Sequence, residues 1–592
     1  MAESLITQHI DLWTSAIEVK STAGRGSKNK FDLYGIKKLR ELILELAVRG
    51  KLVPQDPRDE PASVLLEKIA VEKNYLIKEG KIRKAKNLPK IEKNEWPFEL
   101  PCGWDFSRLN TILTKITDGT HHSPPNKDTG DYLYISAKNI KNEGVQIANA
   151  TYVTTAVHQD IYTRCNPELG DILYIKDGAT TGVVTINDID EPFSMLSSVA
   201  LLKCPSLLFN KYLLLSLRSP FFYNEMRAGM TGVAITRVTL KKLENSFIPV
   251  PPLAEQQRIF AKVDELMVLC DQLEQQTLTS IDAHATLVET LLETLTNSAD
   301  AAELEQNWAR ISEHFDTLFT TEQSIDALKQ TILQLAVMGK LVRQDPTDEP
   351  ASVLLEKIAA EKAQLIKDKK IKKEKPLLPI SDDEKLFELP LGWEWCRLND
   401  FTLSSEAGWS PQCDSNPRIG ENWGVLKVSA VTWGKFKSEE NKALPQELNP
   451  KTQYEIEIGD FLISRANTAD LVAKSVVVPM DAPNHLMMSD KIIRFKFSDR
   501  INAEYINLVN NSLFARNYYA LVAGGTSSSM KNVSRDQIRN LVIALPSKKE
   551  ASLILEKYNE LLNVCEKIKL NLQICNQTNL RITDAIVDNA LN

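Results

Sequence analysis

Much of this 592-residue chain is written twice. From Leu42 to Lys73, 26 of 32 residues recur between Thr331 and Lys362, 289 positions later, far more than shared helix propensity produces. GKLVPQDPRDEPASVLLEKIA at Gly50 returns as GKLVRQDPTDEPASVLLEKIA at Gly339. The same offset carries FELPCGWDFSRLN at Phe98 onto FELPLGWEWCRLN at Phe387, and GDILYI at Gly170 onto GDFLIS at Gly459. Toward the ends of the copies the offset becomes 295, pairing Val238 with Val533, Pro251 with Pro546 and Cys270 with Cys565. Solenoid repeats run to about 20–50 residues, so this is a duplicated module rather than a stacked array. The borders and ends repeat while the interiors diverge, the pattern of two similar scaffolds that face two different targets.

The repeat divides the chain into five segments. Residues 1–95 form an N-terminal helical region with a basic linker; an amphipathic stretch and GRGSKNK come first, and order is expected from Phe31. In 96–250 and 386–546 short β-rich runs such as DILYI and DFLIS alternate with Gly, Asn, Asp and Thr, the texture of a mixed α and β domain. Residues 251–385 and 547–592 each open, after a Pro turn, on a long apolar stripe with alternating steps of four and three. The first stripe runs Ile259, Val263, Leu266, Cys270, Leu273, Thr277, Ser280, His284, Leu287, Leu291. The second, 295 later, runs Ile554, Tyr558, Leu561, Cys565, Ile568, Leu572, Cys575, Asn579, Ile582, Ile586. Two matched stripes in one chain predict an intramolecular helical pair, a rod of roughly 60 Å at about 1.5 Å per residue.

Composition narrows the function classes. With 71 basic and 78 acidic residues the net charge is −7, so any nucleic-acid contact is local or shared with a partner. Eight cysteines occur without a C-x-x-C pair or a metal-type His/Cys spacing, which reads as reduced thiols and no metal site. No apolar run reaches the length of a membrane span, and the expected compartment is the cytoplasm. The Gly-Lys pairs at Gly50, Gly80, Gly339 and Gly434 lack the remainder of a phosphate loop. SPPN at Ser123 is not the tetrapeptide of DNA amino-methyltransferases, and His121-His122 have no carboxylate or Cys partners at ligand spacing. The chain therefore reads as non-catalytic.

The chemistry that remains lies in polar loops directly after strands, whose donors and acceptors suit base edges in a major groove. In the first interior these are Ser136, Lys138, Asn139 and Lys141, then Lys176, Asp177, Thr180 and Thr181, then Thr236 and Arg237. In the second they are Lys427 and Ser429, then Arg465, Asn467 and Thr468, then Thr526, Ser527, Ser528 and Lys531. Each of these is equally readable as an ordinary turn or cap. IKDGATTG and SRANTAD, which follow the GDxL strands, differ in glycine content, so different backbone paths are expected there.

This organisation, a variable head and a long helix occurring twice on a repeated frame, resembles the specificity subunit of Type I restriction-modification systems over essentially the whole chain. The FELPxGWxxxRLN entries, the GDxL strands and the exit IPVPPLAEQQRI at Ile248 carry the resemblance, and the extra duplicated block resembles the IB subclass. The resemblance implies a modular α/β (α+β) fold: two target-recognition domains, separated by two long antiparallel coiled-coil helices and related by a pseudo-two-fold internal duplication. It implies that double-stranded DNA is bound at a bipartite asymmetric target, with the helices setting the spacer. It further implies two modification subunits bringing S-adenosylmethionine, two restriction subunits using ATP and Mg2+, and no cofactor on this chain. A non-catalytic two-headed coiled-coil adaptor for a ligand other than DNA is the alternative reading.

Overall fold

A frame of two helices, a Pro/Asp turn and a short β-pair is built twice in the computed structural model, which describes residues 7–20, 30–83, 89, 91–228, 237–299, 301–373, 376–432, 434–527 and 530–591. The helices Tyr34–Val48 and Glu322–Val337 stop in the same way. Gly50 and Gly339 take φ values of 67° and 71°, and the amides of Lys51 and Lys340 return to the carbonyls of Leu46 and Leu335 at 2.9 Å, satisfying the helix ends. A Cβ at either glycine would also lie 2.4 or 2.6 Å from a ring carbon of Pro101 or Pro390, so the residue is fixed by approach as well as by φ.

The turns then lead into the helices Ala62–Lys78 and Ala351–Lys367. Beneath each turn one buried carboxylate joins three separate sequence motifs. Glu255 accepts from the indole of Trp104 (2.9 Å) and the amide of Gln55 (3.2 Å), and Glu550 accepts from Trp393 (3.0 Å) and Gln344 (3.1 Å). The turn, the head entry and the first turn of the long helix are thus pinned together twice. Burial raises the pKa of both carboxyls against these hydrogen bonds.

The chain separates into two compact units, residues 1–280 with 575–592 and residues 281–574, so the boundary falls inside both long helices, Leu253–Asn297 and Lys548–Leu591. In the first unit Arg40 of the frame helix bridges to Asp271 (2.6 Å) and Glu274 (2.7 Å), while Tyr34 donates to Asp584 (2.7 Å). The second unit repeats this with Lys329 to Glu566 (2.7 Å) and Lys569 to Asp326 (2.8 Å). Its core joins Val288, Leu292 and Leu295 of one long helix with Cys565 of the other and with Ile325, Leu328 and Ile332 of the frame helix. In the second unit the seam is therefore closed by a frame helix as well as by the opposite long helix, a three-helix arrangement where a two-stranded coil was expected, and in the first unit the frame helix likewise reaches both long helices.

The seams hold at Ile259, Val263, Leu266 and Cys270 and at Ile554 and Cys565, all buried, with Leu273, Tyr558, Leu561, Ile568 and Leu572 half-buried. Farther along they slip by one residue. Val288, not Leu287, is buried, and Asn576 and Thr583 replace the exposed Cys575 and Ile582. A straight helix drifts by about 20° per heptad from a 3.5-residue stripe, so after four heptads the buried line lies about one residue further on.

Order begins earlier than Phe31. The helix Ile10–Ser15 buries Trp13, and Glu18–Lys20 pairs antiparallel with Lys30–Asp32. Gly35 lets the next helix approach, because a Cβ there would sit 2.3 Å from the carbonyl oxygen of Trp13. Asn576 closes the contact by donating to the carbonyl of Ile17 at 2.8 Å. Most of GRGSKNK lies outside the described residues.

The two heads share a four-stranded antiparallel sheet and a three-stranded mixed sheet. The first has an antiparallel sheet ordered Val184–Ile186, Ile172–Ile175, Val199–Lys203, Lys115–Asp118, and the second has Ser475–Val477, Phe461–Ser464, Ile492–Phe497, Thr402–Ala407 in the same places. The central GDxL strands are buried at all four residues, as their unbroken apolar runs require. A second sheet in each head contains a short parallel pair, Ile135 beside Met195 and Val425 beside Met487. Each head is tied to its frame by an antiparallel pair, Asp105–Arg108 with Phe247–Val250 and Glu394–Arg397 with Val542–Leu545.

Glu225, on the helix Pro220–Arg227, has a carboxylate oxygen buried without a partner; burial lifts its pKa to about 7 despite the opposing charge of Lys242. A raised carboxyl pKa favours the neutral form in the folded state, so stability falls as pH climbs from 4.5 toward 7 and the loss is complete above that. Glu225→Gln is expected to stabilise the first unit by about 1–3 kcal/mol at pH 8 and to change little near the lower limit. Urea denaturation at both pH values checks this, and an equal change at the two contradicts it.

Candidate nucleic-acid interface

Each GDxL strand ends on a cation whose main chain sits at a three-way junction. In the first head the amide of Lys176 donates to the carbonyl of Ser198 (2.9 Å), and its carbonyl accepts from Val238 (2.8 Å). In the second head the amide of Arg465 donates to Lys491 (2.7 Å), and its carbonyl accepts from Val533 (2.9 Å). The following loops close alike, Gly182 bonding to Ile175 (2.9 Å) and Ala473 to Ser464 (2.8 Å). Six residues, 176–181, fill the first loop and eight, 465–472, the second, which adds a turn with Val472 bonded to the carbonyl of Thr468 at 2.9 Å.

The glycine difference is resolved at the loop exit, where the two paths rejoin. Gly182 has φ 105°, and a Cβ there would meet the Tyr223 ring at 2.7 Å. Ala473 takes φ 59° in its place, a left-handed conformation that costs an alanine about 1–2 kcal/mol. Its carbonyl is held by Asn510 (2.9 Å) and Arg516 (2.7 Å), which offsets that strain. The next residue, Lys474, has its pKa lowered to about 8, by burial first and then by the charge of Arg516.

In the first head the three candidate clusters meet at one place. Ser198 joins two of them, its hydroxyl accepting from the amide of Ala137 at 3.2 Å while its carbonyl holds Lys176. Arg237 brings in the third by pairing with Asp177 (3.0 Å). Asn139 is 1% exposed, and its amide is used internally, accepting from the amide of Ser136 (3.1 Å) and donating to Gln146 (3.0 Å). Ser136 caps that turn, and the Thr181 hydroxyl donates to Gly178 at 2.6 Å. Lys176 is 5% exposed and lies between Asp118 (3.4 Å) and Asp177 (3.1 Å). Lys138 and Thr180 are exposed and Lys141 is half-buried.

The second head gathers a different subset. Ala466–Asn467 pairs with Met530–Asn532, which pairs in turn with Gly524–Ser527, so Asn467 and Lys531 share one small sheet that Arg465 and Thr468 flank. Arg465 is exposed, Asn467 accepts from the amide of Thr468 (2.8 Å), and Lys531 donates to Gly525 (2.9 Å). Lys427 and Ser429 follow a strand of the other sheet and both engage Glu440, at 3.8 and 2.7 Å. Thr236 and Ser528 lie outside the described residues, and Thr526 and Ser527 are described in backbone only.

Sequence reasoning missed two residues of the first site, Asp118 and Arg164, and gave His121 no carboxylate partner although Asp118 lies beside it. Asp118 ends the edge strand, 2% exposed at its side chain, and it accepts from Arg164 and lies 3.4 Å from His121. Arg164 closes the helix Thr155–Arg164, whose only sequence signal is a basic residue at a helix end. No spacing rule links positions 118, 164 and 176; only the sheet order does.

A family model described as the Type I restriction modification DNA specificity domain matches residues 101–283. The chain is 47% identical to the Type I restriction enzyme EcoEI specificity subunit and 42% identical to the Type I restriction enzyme EcoAI specificity subunit, both of Escherichia coli, with 100% of each chain covered. A crystal structure of the HsdS subunit from Thermoanaerobacter tengcongensis is similar at 16% identity, covering 84% of this chain and 98% of that one with a TM-score of 0.41. With full-length identity at this level and the frame, junction and exit built twice, the chain belongs to the family of Type I restriction enzyme specificity subunits.

Proposed function

We propose that this chain selects the DNA address of a Type I restriction-modification complex by letting each head read one half of a split, asymmetric target. The observation that carries this is the duplicated strand-end junction, one backbone design bearing Lys176 and Arg237 in one head and Arg465 and Asn532 in the other. A constant backbone with variable polar side chains suits two half-sites of different sequence. The two long helices act as a ruler for the spacer. The equivalent frames offer matched docking surfaces to two modification subunits, which bring S-adenosylmethionine and methylate one adenine in each half-site. Two restriction subunits supply the ATP- and Mg2+-dependent steps, and the complex works in the cytoplasm. This chain confers specificity and performs no reaction itself.

Arg465 is the most direct test. Arg465→Ala, assembled with the modification subunit, is expected to weaken binding by about 1–3 kcal/mol on duplexes carrying an intact second-head half-site. Duplexes with that half scrambled should bind the variant and the parent alike. An equal loss on every sequence assigns Arg465 to phosphate, and no sequence preference in the parent complex returns the chain to the adaptor reading.

A further inference from the structure

We infer that Arg237 is the guanine-reading side chain of the first head and that Asp177 is its positioning residue, an inference that rests on the DNA-reading function proposed above. Arg237 is 61% exposed at its side chain, and its Nε donates to Asp177 Oδ1 at 3.0 Å. That contact uses Nε alone and leaves the end of the guanidinium, where the two terminal nitrogens each present an N–H, as a two-donor fork. Asp177 is only 11% exposed and is held by Lys176 at 3.1 Å, and Lys176 is fixed in turn by Asp118 at 3.4 Å. Behind the exposed arginine lies an ion chain anchored on the edge strand. An arginine side chain loses considerable rotamer freedom when it binds, and this chain removes that freedom in advance.

The same carboxylate decides between the two ligands a DNA duplex offers. Beside a phosphate, Asp177 would repel the anion and cancel much of the attraction of Arg237. Beside a base edge the repulsion is much weaker, since the acceptors there carry only partial charges. Guanine is the base that presents two adjacent acceptors, O6 and N7, in the major groove, matching the fork. The second head provides an internal control. At the matching positions it has Ala407 for Asp118, Ala466 for Asp177 and Asn532 for Arg237, with Ala466 paired to Asn532 as Asp177 is bridged to Arg237. The supported arginine therefore belongs to one head alone.

The test uses the full chain assembled with its modification subunit and a duplex carrying the methylation target mapped for that complex. Each guanine on either strand is replaced in turn by 7-deazaguanine, which lacks the N7 acceptor. The parent is expected to bind about ten-fold more weakly at one such position at least. Arg237→Ala should bind the unmodified target more weakly and be insensitive there, and Arg237→Lys should bind it more weakly with reduced sensitivity while keeping its affinity for unrelated DNA. Asn532→Ala should keep the sensitivity. Asp177→Asn should lose most of it while binding unrelated duplexes more tightly, an effect that a purely structural role would not produce. The inference is overturned if both Arg237 variants keep every sensitivity of the parent, or if no guanine of the target is sensitive in the parent. A parent complex with no preference for its target over unrelated DNA would instead remove the underlying function.

Discussion

Arg494→Ala is expected to cost the second unit about 3–5 kcal/mol, because it strands a buried carboxylate. Arg494 lies in the strand Ile492–Phe497 at 3% exposure. It donates to Asp460 (2.8 Å), Glu406 (3.1 Å) and the carbonyls of Glu455 (2.7 Å) and Gln453 (2.8 Å). Asp460 is the aspartate of the GDxL strand and is itself 5% exposed. Without Arg494 its nearest cation is Lys496 at 3.9 Å. In the first head the matching Asp171 is held by Lys203 at 2.8 Å, and Leu201 occupies the place of Arg494. The damage should stay local: hydrogen exchange should show lost protection across 386–546, with 96–250 unchanged, and recognition of one half-site should fail. Equal loss of protection in both heads would contradict independent heads.

A paired insertion of four residues, one between Ser280 and Ile281 and one between Ile574 and Cys575, is expected to lengthen the preferred spacer by about two base pairs. Both sites fall on the boundary between the two units, so neither core is cut. Four helical residues add about 6 Å and a rotation only about 40° beyond a full turn, while DNA rises about 3.4 Å per base pair. A single insertion near Leu273 moves one stripe against its neighbours and should prevent assembly instead. Methylation of a duplex library in which only the spacer varies reads out both variants. An unchanged preference in the paired variant would exclude the ruler.

The frame was legible because duplication supplies its own alignment. Glu255, Gln55 and Trp104 belong to three motifs that recur together, and the structure shows one carboxylate holding the other two. The start of each seam was legible for the same reason, but its far end was not. A stripe of period 3.5 and a straight helix agree near Ile259 and disagree by Val288, and only the packing decides between them. The buried Trp13 escaped notice because the helix around it is six residues long, too short to show a period.

In the heads, residue type marked the right loops without separating their inward and outward side chains. Lys176 and Arg465 occupy one position in the duplication, yet one is buried between two aspartates and the other is exposed. The difference lies in Asp118 and Asp177, both replaced by alanine in the second copy, and Asp118 is distant enough in sequence that no local pattern connects it to Lys176.

Genome-wide mapping of methylated adenine in cells expressing this chain with its modification subunit, set against cells lacking the chain, addresses the specificity function most directly. The expected result is one new motif, split into two unlike halves with a fixed spacer, that disappears when this chain is absent. If the modification subunit is present and active and no such motif appears, the chain does not choose a DNA address.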